Sequence, residues 1–113
     1  MRKTPGLIAV TAITSLALAG CGTSYNYSAK VVSYQALDPA HLGVVIQVTN
    51  NGSTAGSPTC LIQGISDQTG DNGTDDVTLQ GTLQPGQTTH FADTFVITSQ
   101  GAASVNNVTV SCT

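Results

Sequence analysis

Basic residues are nearly missing from this chain. Arg2 and Lys3 stand at its start, and after them Lys30 is the only Lys or Arg. A surface with one cation cannot neutralise a row of phosphates, which argues against nucleic acid as a partner. It also rules out a polybasic patch that docks on anionic lipid. Glutamate is absent, and the acids are six aspartates: Asp38, Asp67, Asp71, Asp75, Asp76 and Asp93. From residue 4 onward there is no Glu, Arg or Met, so much of the usual helix-forming stock is gone.

Catalytic equipment is equally sparse. His41 and His90 are the only histidines, whereas a zinc site needs three or four ligands. With Lys30 the only Lys or Arg after residue 3, they are too few to arm a nucleophile with a positioned base and an oxyanion-stabilising group. Serines are plentiful, but Gly52-Ser53-Thr54-Ala55-Gly56 lacks the spacing of a nucleophile elbow. The inventory points away from an enzyme and from a required cofactor.

What the chain does have begins with a leader. Arg2 and Lys3 precede an uncharged run from Leu7 to Leu18 and then small residues, the grammar of a secretory signal. That run is shorter than the roughly 20 apolar residues a bilayer span needs. Leu18-Ala19-Gly20-Cys21 resembles a bacterial lipobox. The resemblance implies cleavage before Cys21, lipid on its sulfur, and residence on the outer side of a bacterial membrane. Two or more acyl chains hold a protein stably in a bilayer. On this reading residues 1–20 are the signal peptide, 21–29 a lipidated tether and 30–113 a single domain. Lys30 against six aspartates then gives the processed chain a formal charge of −5.

With Cys21 assigned to lipid, Cys60 and Cys112 remain as an even pair in an exported protein, and a disulfide between them is expected. Both share parity with apolar neighbours, Ile62 and Val110, so the bridge should be buried and tie a middle strand to the last one.

Beyond Lys30 the hydrophobic period is two. Val32, Tyr34 and Ala36 alternate with polar residues, as do Val44, Ile46 and Val48, then Cys60 and Ile62, Val77 and Leu79, and Val108, Val110 and Cys112. Such alternation marks half-buried strands. In the run from Thr88 to Thr98, Asp93 falls on the parity of Phe91 and Phe95, which suggests a bulge or a local switch of face. Asn50-Asn51-Gly52-Ser53, Asp71-Asn72-Gly73 and Gln84-Pro85-Gly86-Gln87 read as turns, the last of type II. Six or seven strands in this length predict an antiparallel β-sandwich, with a small closed barrel as the alternative. The domain resembles the small immunoglobulin-like modules of bacterial surface lipoproteins, in particular the FxLYD-like group. Val44–Asn51, Cys60–Asp67 and the step from Leu83 to Gln87 before Phe91 carry that resemblance. The aromatic residues of the group's namesake pattern do not precede Asp67, and no tryptophan supplies the pin of antibody domains.

Two surface features are candidates for function. Asp67, Asp71, Asp75 and Asp76 offer oxygen ligands of the kind calcium takes, though without the spacing of an EF-hand. The loops Asn50–Pro58 and Asp67–Asp76, with Asn51, Ser53 and Asn72 at their tips, are the expected contact surface for an envelope protein partner. Tyr25 and Tyr27 flank the anchor, where tyrosine suits a membrane interface as well as a packed strand.

Overall fold

The computed structural model describes residues 26–113; the leader, Cys21 and Tyr25 lie outside the described residues. Six strands follow in order: β1 (Tyr27–Asp38), β2 (His41–Asn50), β3 (Thr59–Ile65), β4 (Asn72–Thr78), β5 (Thr88–Val96) and β6 (Asn107–Cys112). They form two antiparallel sheets, ordered β1-β2-β5 and β4-β3-β6. The sheets stack face to face and do not close, so the fold is a sandwich and not a barrel. Two short 3-10 turns, Thr98–Gln100 and Ala102–Ser104, lie between β5 and β6.

The central strands carry the core. In β2, Leu42, Val44, Ile46 and Val48 are buried, and in β3 Cys60 and Ile62 face them from the other sheet. Each such aliphatic side chain contributes about 1.5–3 kcal/mol by leaving water. Leu83, Phe95, Ile97, Ala102 and Val105 close the ends of this layer. The β-branched residues that dominate β2 favour the pleated surface on which they pack.

Cys60 and Cys112 oppose each other in the β3–β6 ladder and are joined by a disulfide. The bridge ties the middle strand of one sheet to the last strand of the chain, with Cys60 fully buried and Cys112 partly so. It lies within one sheet, unlike the bridge between sheets in antibody domains.

Local chemistry departs from the sequence reading at three places. β1 starts at Tyr27, so residues 27–29 are strand and not tether, and Tyr27 packs against the core. Val32 is an extra residue relative to β2, as is Leu37, because the register shifts between Val31 and Ser33 and again between Ala36 and Asp38. The inward residue is therefore Val31, and Val32 is 50% exposed. Second, the reversal before β4 is made by Ser66–Gly70, and Asn72 and Gly73 belong to the strand. Third, β5 has no bulge: its pairing with β2 is continuous from Thr88 to Val96, and Asp93 faces inward with Phe91 and Phe95. The turn at Gln84–Gln87 forms as expected. Gln87 N–H donates to the Gln84 carbonyl, and Gly86 has φ +82°, which a type II turn demands of its third residue.

Closing a loop with a sequence separation of 52 removes unfolded-chain entropy worth up to about 4 kcal/mol. Replacing both cysteines by alanine (C60A/C112A) is expected to lower stability by about 2–4 kcal/mol and to steepen the denaturant slope, because the unfolded chain loses its cross-link and exposes more surface. Equilibrium urea unfolding followed by circular dichroism checks this.

Candidate functional site

The strand directions divide the loops between two ends of the sandwich. At one end lie Asn26, the Asn51–Pro58 loop, the connection from Leu79 to Gln87 and the C-terminal Thr113. At the other lie the Pro39-Ala40 turn, the Ser66–Asp71 turn and the segment from Ile97 to Asn106. The first is called the N-terminal end here and the second the distal end. The proposed contact pair Asn51–Ser53 and Asn72 is thereby split. The two sit at opposite ends of the seven-residue β3, about 20 Å apart at 3.3 Å per residue. β3 enters from one loop and leaves into the other, so the two loops cannot share a surface.

Asn50 organises the N-terminal end. It is fully buried, and its side-chain amide donates to the carbonyls of Thr54 and Leu83 at 3.0 and 2.9 Å. Its Oδ1 accepts from Gly52 N–H at 2.8 Å, and its backbone groups pair with Gln87 and Gly86. A buried amide with this many partners stabilises the loops it joins, and removing it strands several of them. Asn51 fixes the start of β1: its N–H donates to the Asn26 carbonyl at 2.7 Å, and its side chain donates to Ser28 Oγ at 3.0 Å.

The distal end is acidic and hydrogen-bonded throughout. Buried Ser66 turns the chain, with its carbonyl accepting from Gly70 N–H and its Oγ from Thr69 N–H. Thr69 Oγ1 donates to Asp71 Oδ2 at 2.8 Å. Asp67 N–H donates to Asn106 Oδ1 at 3.0 Å, and Asn72 N–H donates to Thr98 Oγ1 at 3.1 Å. Asp38 closes the β1–β2 hairpin, accepting from Ala40 N–H and from His41 Nδ1, both at 2.8 Å. The hydrogen bond from His41, and then that from Ala40, hold its carboxyl below the usual range.

The four aspartates expected to share one loop do not converge. Asp67 and Asp71 lie in the distal turn, whereas Asp75 and Asp76 are neighbours within β4. Strand alternation sends Asp75 inward, between the sheets, and Asp76 outward. Among the described residues no three His, Cys, Asp or Glu side chains come together as metal ligands do. The histidines are apart as well. His41 and His90 lie on the outer face of the first sheet, and His90 Nε2 is paired with Gln47 at 3.0 Å.

Sequence reasoning missed two features that the fold assembles. One is a shallow cavity of about 320 Å³ on the outer face of the first sheet, lined by Leu37, Gly43, Val45, Ala92 and Thr94 among others. Three separate strands build it, and its only local signal is Gly43 inside the apolar run of β2. The other is an acid pair. Asp93 on β5 and Asp75 on β4 both face inward from the edge strands of opposite sheets. Their ladder partners are the buried Val44 and Ile62. Asp93 Oδ2 is buried and has no hydrogen-bond partner. Burial, and then hydrogen bonding and like charge from Asp75, push the Asp93 carboxyl up to about 6. The parity clash of Asp93 was the sequence signal, and its meaning is an inward acid rather than a bulge.

A raised carboxyl has a definite sign in stability. Below pH of about 4 Asp93 is protonated in both states. Between about 4 and 6 the unfolded chain gives up this proton while the folded chain keeps it, so stability falls as pH rises. Above that window both states are ionised and the contribution is flat. Asp38, held low, acts in the opposite sense and only below its usual range. The urea midpoint is therefore expected to decrease from pH 4 to pH 6.5, and Asp93→Asn to remove that decrease. Urea titrations across this range for both proteins provide the check.

No protein-family model matches the chain, and none of the curated proteins compared with it is similar.

Proposed function

We propose that the chain is a cell-envelope lipoprotein, anchored through Cys21, whose β-sandwich is a non-catalytic binding module that presents its distal end to a partner. The observation that carries this reading is the position of Asn26. Asn26 is hydrogen-bonded to Asn51 at the end opposite the acidic loops. Only residues 22–25 separate it from Cys21, a span of less than about 20 Å even when extended. A lipid on Cys21 would therefore hold the N-terminal end at the bilayer and turn the distal end outward. Charge agrees with this orientation. Asp38, Asp67 and Asp71 are at the distal end, and no acid lies in the loops Asn51–Pro58 or Leu79–Gln87. An anionic headgroup layer thus meets little repulsion from the near end.

The distal end suits binding more than chemistry. Its side chains are held by hydrogen bonds within and between loops, so they present a fixed polar surface on a rigid scaffold. Acidic groups there favour a partner with a basic contact surface. One lysine and two histidines that lie apart support a non-catalytic role.

Photo-crosslinking probes placed at Asn72 and Ser53 in the full chain, in its native envelope, test the reading. A discrete crosslinked protein is expected from Asn72 and none from Ser53. The Cys21→Ser chain is expected to lose both the crosslink and membrane fractionation. A protein crosslink from Ser53 alone, or membrane retention of a processed Cys21→Ser chain, would overturn the proposal.

A further inference from the structure

The two open edges of the sandwich differ. On one side β1 and β6 face each other, and on the other β4 faces β5. The β4–β5 side is drawn close at Gly73, where a Cβ would clash with the Val96 carbonyl oxygen. Only glycine permits that approach. One turn of alternation further along, the two strands place Asp75 and Asp93 side chain to side chain across the same seam. Two carboxylates at such a position repel and draw poorly on solvent, whereas one proton between them replaces repulsion with a hydrogen bond.

No other charge intervenes among the described residues. β2 presents Leu42, Val44, Ile46 and Val48 inward, and its His41 lies on the outer face. β3 presents Cys60, in its disulfide, with Ile62 and Gly64. β6 carries no acid or base, and Lys30 is on β1, two strands from β5. On the seam strands themselves, Asp76 and His90 point outward. The proton balance at this edge belongs to Asp75 and Asp93 alone.

We propose that this seam is a proton-operated latch: with one proton between Asp75 and Asp93 the edges β4 and β5 stay closed on each other, and when both are ionised the two edge strands fray from their sheets. Inward-pointing charge on an edge strand is a known device against edge-to-edge pairing. Here it is placed on both edges of one seam, so a change of pH switches its strength. The raised carboxyl of Asp93 sets the switch near pH 6. The latch is independent of whether Cys21 carries lipid.

Hydrogen exchange read by mass spectrometry on the full chain in detergent tests it. Protection is corrected for the intrinsic pH dependence of exchange and followed at pH 5 and pH 7.5. In the native chain, protection of β4 (Asn72–Thr78) and β5 (Thr88–Val96) is expected to fall about tenfold across this interval. Protection of the central β1–β2 and β3–β6 ladders should stay constant. In Asp93→Asn the fall should disappear, and in Asp75→Asn, where burial alone still raises Asp93, it should shrink, each substitution keeping the shape while removing one charge. A fall of the same size in all strands, or an unchanged fall in both variants, overturns the proposal. So does the absence of any pH dependence in the native chain.

Discussion

Because β2 and β3 are the middle strands of their sheets, the face-to-face burial of Leu42, Val44, Ile46 and Val48 against Cys60 and Ile62 sets the position of everything else. β1 and β5 are placed by pairing with β2, and β4 and β6 by pairing with β3. The disulfide holds β6 to β3 at the point where a short final strand would otherwise fray. With so few large side chains, this small domain relies on one continuous apolar layer and one covalent link. The direction of β3 within that layer separates the two loop clusters and so gives the molecule a near and a far end.

Much of the fold was legible because β2, β3 and β6 each obey strict alternation, and burial follows it residue by residue. The cysteine pairing was legible from the count, since Cys60 and Cys112 remain once Cys21 is set aside. The rest depended on choices that sequence offers in duplicate. Val31 and Val32 are equally apolar, and only the register with β2 decides that Val31 goes in. Ser66–Gly70 and Asp71–Gly73 are both rich in turn residues; buried Ser66 and the positive φ of Gly70 select the first, which releases Asn72 and Gly73 into β4. That one shift distributes Asp71, Asp75 and Asp76 to three environments. The acid loop that composition suggested dissolves for this reason. Its place is taken by a pair, Asp75 with Asp93, that no linear spacing connects.

Function on this fold rests on the ends and edges of the sandwich. The N-terminal end is stiffened by buried Asn50 and carries no acid in its loops. The distal end carries Asp38, Asp67 and Asp71 in hydrogen-bonded turns. Between them, one edge is drawn close at Gly73 and turns Asp75 and Asp93 inward, with the Asp93 carboxyl pushed up to about 6. A stiff N-terminal end, an acidic distal end and an edge with inward acids are what the proposed envelope role would draw on. Each is built from backbone geometry plus a few side chains rather than from a catalytic inventory.

If Cys21 anchors the chain as proposed, the sandwich has a fixed orientation, with its N-terminal end towards the membrane. Fluorescent residues placed at Ser53 and at Asn72 in the full chain, reconstituted in vesicles that carry quenchers on the lipid headgroups, measure it directly. Strong quenching is expected at Ser53 and little at Asn72, since the two loops leave opposite ends of β3. Equal quenching at both positions, or stronger quenching at Asn72, would contradict it.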